Sequence, residues 1–226
     1  VEVRARVVGE GANLGCTQRG RIEFARTTAD RAGGRINTDA VDNSAGVDCS
    51  DHEVNIKIAL SAAQAAGRLS VRARDALLAK MTGEVAELVL RDNYRQGQAL
   101  SLAQAEGPAA LESFARFMLA LEKTGRLDRP LEALPDDETI DELRAAKQSL
   151  ARPELAVLLA YAKTTLYSEL LDSELPDQKH FAGDLAGYFP KPMQKPFARE
   201  ISRHRAIYSV PRRPRCACYR RNLRDC

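Results

Sequence analysis

The sequence predicts a mixed α/β portion at 1–69, a mainly helical domain at 70–205 and a short tail of different character at 206–226. Two strand-like runs carry the first part. VEVRARVV at 1–8 alternates and feeds a glycine-rich turn, and RINTDAV at 35–41 feeds a turn of small polar residues that opens an apolar run. From Ser70 onward apolar residues recur at helical spacing, which carries the second part.

The bulk composition narrows the class. With 226 residues, 44% apolar and 29% charged, the chain can bury one or two cores. No window approaches a membrane-spanning run and no signal peptide precedes the first strand-like segment, so the expected compartment is the cytoplasm and no membrane contact is expected. The absence of an initial methionine on a sequence already in a strand-like run suggests a start within a domain. Five cysteines, with Cys16 and Cys49 far from Cys216, Cys218 and Cys226, give neither a disulfide framework nor a paired CxxC zinc pattern. The net charge of +3 is uneven: from Arg199 onward nine arginines face only Glu200 and Asp225, a local +7, which leaves the body at −4. A mildly acidic body gives no basic face for nucleic acid.

In chain order, Val3, Val7 and Val8 fit a strand and GEGAN at 9–13 the loop leaving it. Glycine there permits close backbone approach by a ligand, and the Asn13 amide offers a donor and an acceptor, which suits an amide such as a nicotinamide carboxamide. The loop lacks the full GxGxxG fingerprint, and many such loops are plain turns. The stretch 17–32 is polar and basic; 26–31 reads as a surface loop closed by Gly33 and Gly34. The strand at 35–41 and the turn at 42–49 follow. Ser50 or Asp51 is placed to cap a helix, which the alanine-rich run to Ala66 continues and Gly67 closes. Val54, Ile56, Ile58 and Leu60 also alternate as in a strand; as a helix they predict burial on more than one face. The start of this helix would suit a carboxylate, with Ser50 adding a hydroxyl, against the plainer reading that Ser50 only caps. A metal site fails on spacing: setting Gly46 at the invariant glycine of a calcium loop puts Val41 at the first ligand position and His52 where the bidentate glutamate belongs.

Helices are expected at 70–95, 108–121, 136–143 and 154–171, with Pro153 at the start of the last, and their apolar stripes read as packing faces. Tyr161, Lys163 and Tyr167 sit where they could line a cleft, although half-solvated positions explain them as well. The region 175–196 is loop-rich, and helical character resumes at 197–205. VPRRPRCACYRRNLRDC then ends the chain, a composition that fits a nucleic-acid-binding tail or a non-native ending.

GEGANLGCTQRGRIEFA at 9–25, RINTDAVDNSAGVDCSDHEVNIKIAL at 35–60 and ARPELAVLLAYAK at 151–163 closely resemble the carboxyl-terminal region of the large bacterial NAD-specific glutamate dehydrogenases, over roughly 1–205. The resemblance implies the carboxyl-terminal part of a Rossmann-like dinucleotide-binding domain followed by a helical domain. It implies NAD as cofactor, L-glutamate and 2-oxoglutarate as substrate and product, and a homo-oligomer. By similarity to the EGAN loop and the NAGGV-plus-serine stretch of smaller relatives, Gly11, Asn13 and Asn43 would face the nicotinamide end of NAD, and Val47 and Ser50 would contact the glutamate side chain. The family's catalytic lysine and aspartate and its phosphate-binding glycine loop match nothing in this sequence, so the polypeptide alone is expected to be inactive and to need upstream domains of the same protein. The family continues as a helix beyond Arg205, where this sequence turns arginine-, proline- and cysteine-rich; a shifted reading frame would produce 206–226. The rival reading is a non-catalytic helical interaction or regulatory module.

Overall fold

A computed structural model describes residues 4–9, 11, 15–26 and 33–204. The segments 1–3, 10, 12–14, 27–32 and 205–226 lie outside it, and with them the tail and the surface loop expected at 26–31, except for Arg26, which ends a helix. The described residues are mostly helical, in two compact units: Val1–Cys49 with Glu87–Glu169, and Ser50–Ala86 with Leu170–Cys226. Ten α-helices are described: α1 Gln18–Arg26, α2 Asp39–Asp42, α3 Ser44–Ala65, α4 Val71–Glu106, α5 Leu111–Lys123, α6 Asp137–Ala145, α7 Arg152–Leu171, α8 Ala182–Tyr188, α9 Lys191–Gln194 and α10 Ala198–Ser202. None is long and apolar enough to cross a membrane.

The expected strands are reduced to one pairing. Among the described residues there is no strand, only an isolated parallel bridge between Val7 and Arg35. The run at 35–41 is extended only to Thr38, which accepts from the amides of Val41 and Asp42 at 3.0 Å and so starts α2. Its alternation served a different end: Ile36 and Val41 are buried, while Asp39 turns to an ion pair with Arg21. The polar run after Thr17 forms α1, which has no apolar period because its buried residue is Arg21. α1 is anchored by charge and amide contacts: Arg26 pairs with Glu154 at 2.9 Å, and Gln18 donates to Pro153 O at 3.1 Å. After α1 come two glycines in close quarters, Gly33 against backbone at positive φ and Gly34 against a ring that a larger residue would have to displace. A Cβ at Gly33 would lie 2.3 Å from Ala25 O, and one at Gly34 2.2 Å from the Phe24 ring.

Helix boundaries follow their capping chemistry. Gly67, at φ +70°, ends α3 with its amide on Gln64 O and that of Arg68 on Ala63 O. Ser70 Oγ accepts from Ala73 N at the start of α4. Gly107 and Gly125, both at positive φ, follow α4 and α5. Asp136 caps α6 by accepting from Thr139 N at 2.9 Å, and the Thr139 side chain first, then this amide, hold its carboxyl below the usual range.

The core of the first unit gathers Leu100 of α4, Met118 and Leu121 of α5, Ile140 of α6 and Leu155 and Leu158 of α7. That of the second joins Ile56, Leu60 and Ala63 of α3 with Met81, Phe189 and Met193. On α3 the buried residues fall at 52, 56, 59, 60 and 63, and Val54 is exposed. One stripe is buried, not several faces as the alternating run predicted.

Arg129 ties the α5–α6 connection. Its guanidinium donates to Glu122 and Asp137, each at 2.8 Å, and to Pro135 O at 3.1 Å, and the bond to Glu122 is the main cause of its raised pKa. Arg129→Ala is expected to destabilise the chain by about 2 kcal/mol, and Arg129→Lys to recover only part of it. Urea unfolding of the three proteins measures this.

Candidate functional site

The Val7–Arg35 bridge organises the site. Val8 N–H donates to Arg35 O and Arg35 N–H to Arg6 O, both at 2.9 Å. Because the pairing is parallel, both segments run out on the same side, with α1 in the connection between them. On that side lies a cavity of about 510 Å³, lined by Gly9, Arg35, Asn37, Asp42, Ser101 and Arg152 among others.

Arg152, the first residue of α7, dominates its polar wall. Its Nε donates to Asn37 Oδ1 at 2.6 Å, and its Nη atoms to Ser101 Oγ and Gly97 O at 3.1 Å and to Gln104 Oε1 at 3.5 Å. Asn37 passes the contact on by donating from Nδ2 to Asp42 Oδ1 at 2.7 Å. Burial lowers the pKa of Arg152, nearby Arg35 lowers it further, and Asp42 opposes both.

Beyond Asp42 the chain turns directly into α3. The expected cap is displaced: Ser50 is the seventh residue of α3 and exposed, and the helix begins at Ser44. Ser44 Oγ donates to Val41 O at 2.8 Å and accepts from Gln96 Nε2 at 3.1 Å. Gln96 in turn accepts from Lys163 Nζ at 2.7 Å, and burial lowers the pKa of that lysine. The small polar residues 42–46 look like a loop in sequence, yet Ala45 and Gly46 fit a first helical turn, where free amides cost little.

The predicted residues fall as follows. Gly11 is exposed, with open space where a Cβ would stand. Asn13 lies outside the described residues. Asn43 follows α2, its amide on Asp39 O at 2.8 Å and its carbonyl accepting from Gly46 N at 3.2 Å. The Asn43 side chain has no hydrogen bond among the described residues, and its Oδ1 would lie 3.4 Å from a Cβ at Gly46. Val47 is 65% exposed. The spacing 43, 47, 50 sets Asn43, Val47 and Ser50 along one side of the first turns of α3. None of the three lines the cavity at the strand ends. Arg152, Asn37 and Ser101 were not singled out from sequence; the one cue was an arginine directly before a helix-starting proline.

Of the three residues on α7 set against a cleft, Tyr161 lines a second cavity, of about 380 Å³, with Arg21, Asp39 and Glu132. Its hydroxyl donates to Glu132 at 2.7 Å, and burial first, then this bond, pushes its pKa up to about 12. Tyr167 is exposed. Because the folded state favours the neutral phenol, this contribution to stability is full below the ordinary value of 10.0 and is lost as the pH rises to about 12. Alkaline absorbance titration of the chain against Tyr161→Phe is expected to show one late-ionising tyrosine that the variant lacks.

Comparison with known proteins gives a consistent picture. Residues 1–103 match the family model described as bacterial NAD-glutamate dehydrogenase, catalytic domain, and 147–207 match glutamate dehydrogenase, C-terminal. The chain is 48% identical over 204 residues to an NAD-specific glutamate dehydrogenase of Pseudomonas aeruginosa and 46% identical over 204 residues to that of Halomonas elongata. It is 47% identical over 203 residues to the one of Mycobacterium tuberculosis. Each match takes in 90% of this chain, and the chain spans 12% of the length of each of these relatives.

Proposed function

We propose, because the chain belongs to the bacterial NAD-glutamate dehydrogenase family, that it supplies the nicotinamide-facing and substrate-facing part of an enzyme that oxidises L-glutamate to 2-oxoglutarate and ammonia with NAD. The observation that carries this is the bridge from Val7 across α1 to Arg35, followed by the Asn43–Ser50 stretch that opens α3. Two parallel segments joined through a helix are the repeating unit of a doubly wound dinucleotide domain, in which ligands sit beyond the carboxyl ends of the strands. On this reading 1–69 is the last part of a Rossmann-like domain, 70–205 a helical domain and 206–226 a non-native ending. The remaining strands and the catalytic lysine and aspartate come from upstream domains of the same protein, without which this chain is inactive.

Two features fit NAD. The open space at Gly11 allows close approach at the loop, and the uncommitted amide of Asn43 can both donate to and accept from a carboxamide. NAD supplies the hydride acceptor. The chain's own share is positional: Gly11, Asn13 and Asn43 hold the nicotinamide end, while Val47 packs on the glutamate methylenes and the Ser50 hydroxyl donates to its side-chain carboxylate. Holding the donor carbon against the acceptor face lowers the entropic part of the barrier.

In the full-length dehydrogenase, Ser50→Ala is expected to raise the KM for glutamate about tenfold and leave that for NAD unchanged, since one hydrogen bond to a charged group is lost. Steady-state kinetics in both substrates decides it; an equal loss for both, or no change, refutes the assignment.

A further inference from the structure

The cavity at the strand ends holds more positive charge than its own side chains balance. Arg35 and Arg152 line it against one carboxylate, Asp42. The hydrogen-bond partners of the Arg152 guanidinium are an amide oxygen of Asn37, the Ser101 hydroxyl, the Gln104 amide and the Gly97 carbonyl, none of them charged. These take four of its five N–H groups and leave one on Nη2. Arg35 makes no ion pair among the described residues, and it lies near enough to Arg152 to disfavour its charge. The peptide N–H of Gly9, at the end of the first segment, also has no partner among the described residues. A cavity of about 510 Å³ with two cations and an open backbone amide at one side has the donor set of an anion site.

We propose that this cavity binds the oxyanion group, phosphate or carboxylate, of a small molecule between Arg35 and the remaining N–H of Arg152, with the Gly9 amide as third donor. Ser101, Gln104, Gly97 and Asn37 fix the Arg152 plane, and Asn37 holds Asp42 through its other amide atom, so the carboxylate is engaged before an anion arrives. The site goes beyond the proposed function, because neither Gly11, Asn43, Val47 nor Ser50 lines it. It joins the two family-matched regions, with Arg152 supplied by the carboxyl-terminal match and Gly9, Arg35, Asn37, Gly97 and Ser101 by the catalytic-domain match.

The test is a nuclear magnetic resonance titration of the 226-residue chain with sodium phosphate at constant ionic strength, following the amides of Gly9, Asn37 and Ser101. Saturable shifts with a dissociation constant near about 1 mM are expected. Arg35→Gln, which removes no side-chain hydrogen bond or ion pair among the described residues, should keep the thermal midpoint and weaken binding about tenfold, and Arg152→Lys, which keeps the charge but not the fork, should weaken it as well. Parallel titrations with NADH and 2-oxoglutarate identify the source: whichever displaces phosphate at the lower concentration carries the recognised group. The proposal is overturned if none of the three probes gives saturable shifts at these amides up to about 10 mM, or if Arg35→Gln binds as the parent does. NADH shifts confined to 43–50 would also overturn it while leaving the nicotinamide assignment in place.

Discussion

The planar fork of Arg152 is the constraint on which the strand-end site depends. From the first residue of α7 it reaches the end of α4 through Gly97, Ser101 and Gln104, and the extended segment after Arg35 through Asn37. Arginine has no acceptor, so the Asn37 atom it meets must be the amide oxygen, and the amide nitrogen is thereby turned toward Asp42. A lysine could not set three elements at once, since its donors radiate from a single point. Asp42 closes α2, and Asn43 and Ser44 follow it into α3. The orientation of the turn is thus set from a residue more than a hundred positions away in the chain.

Packing of the first unit divides into two kinds of contact. α4 to α7 meet through leucine, isoleucine and methionine side chains, whose burial is worth about 1.5–3 kcal/mol each. α1 meets its neighbours through Arg21 with Asp39, Arg26 with Glu154 and Gln18 with a carbonyl. Such pairs are costly to break and modest in net gain, so they fix where α1 lies more than they hold the unit together.

This division explains what was legible in the sequence. The long helices were, because apolar residues recur every three or four positions and the stops are chemical: Gly67, Gly125, the serine at 70 and the aspartate at 136. α1 was not, because a helix that buries an arginine leaves no apolar period. The start of α3, expected after a cap at Ser50 or Asp51, was placed too late for a related reason: Asp42, Asn43 and Ser44 suit a loop by composition, and the bonds that hold the Ser44 hydroxyl come from Val41, near in sequence, and Gln96, far from it. The second strand was overread since alternation alone does not supply a partner, and here pairing extends to a single bridge. Of the site, the glycine loop and the 43–50 stretch were recognisable as motifs. Arg152 was not, since its role arises only where α7 and α4 meet the 35–42 segment.

Two cavities of the first unit show how charge separates structure from recognition. In the smaller one Arg21 faces Asp39 and Tyr161 faces Glu132, so each charged group that lines it is answered by another. Such a cavity gives an incoming ion nothing that it does not already lose through desolvation. In the larger one Arg152 is hydrogen-bonded only to neutral groups, and the single carboxylate is held by an amide. Dipoles orient a guanidinium without neutralising it, so its field remains available to a ligand. The same amide of Asn37 that fixes Arg152 also restrains Asp42, and one neutral side chain thereby keeps opposite charges apart within a few bonds of each other. Replacing it with an aspartate would close the charge balance within the protein and remove the reason for an anion to enter.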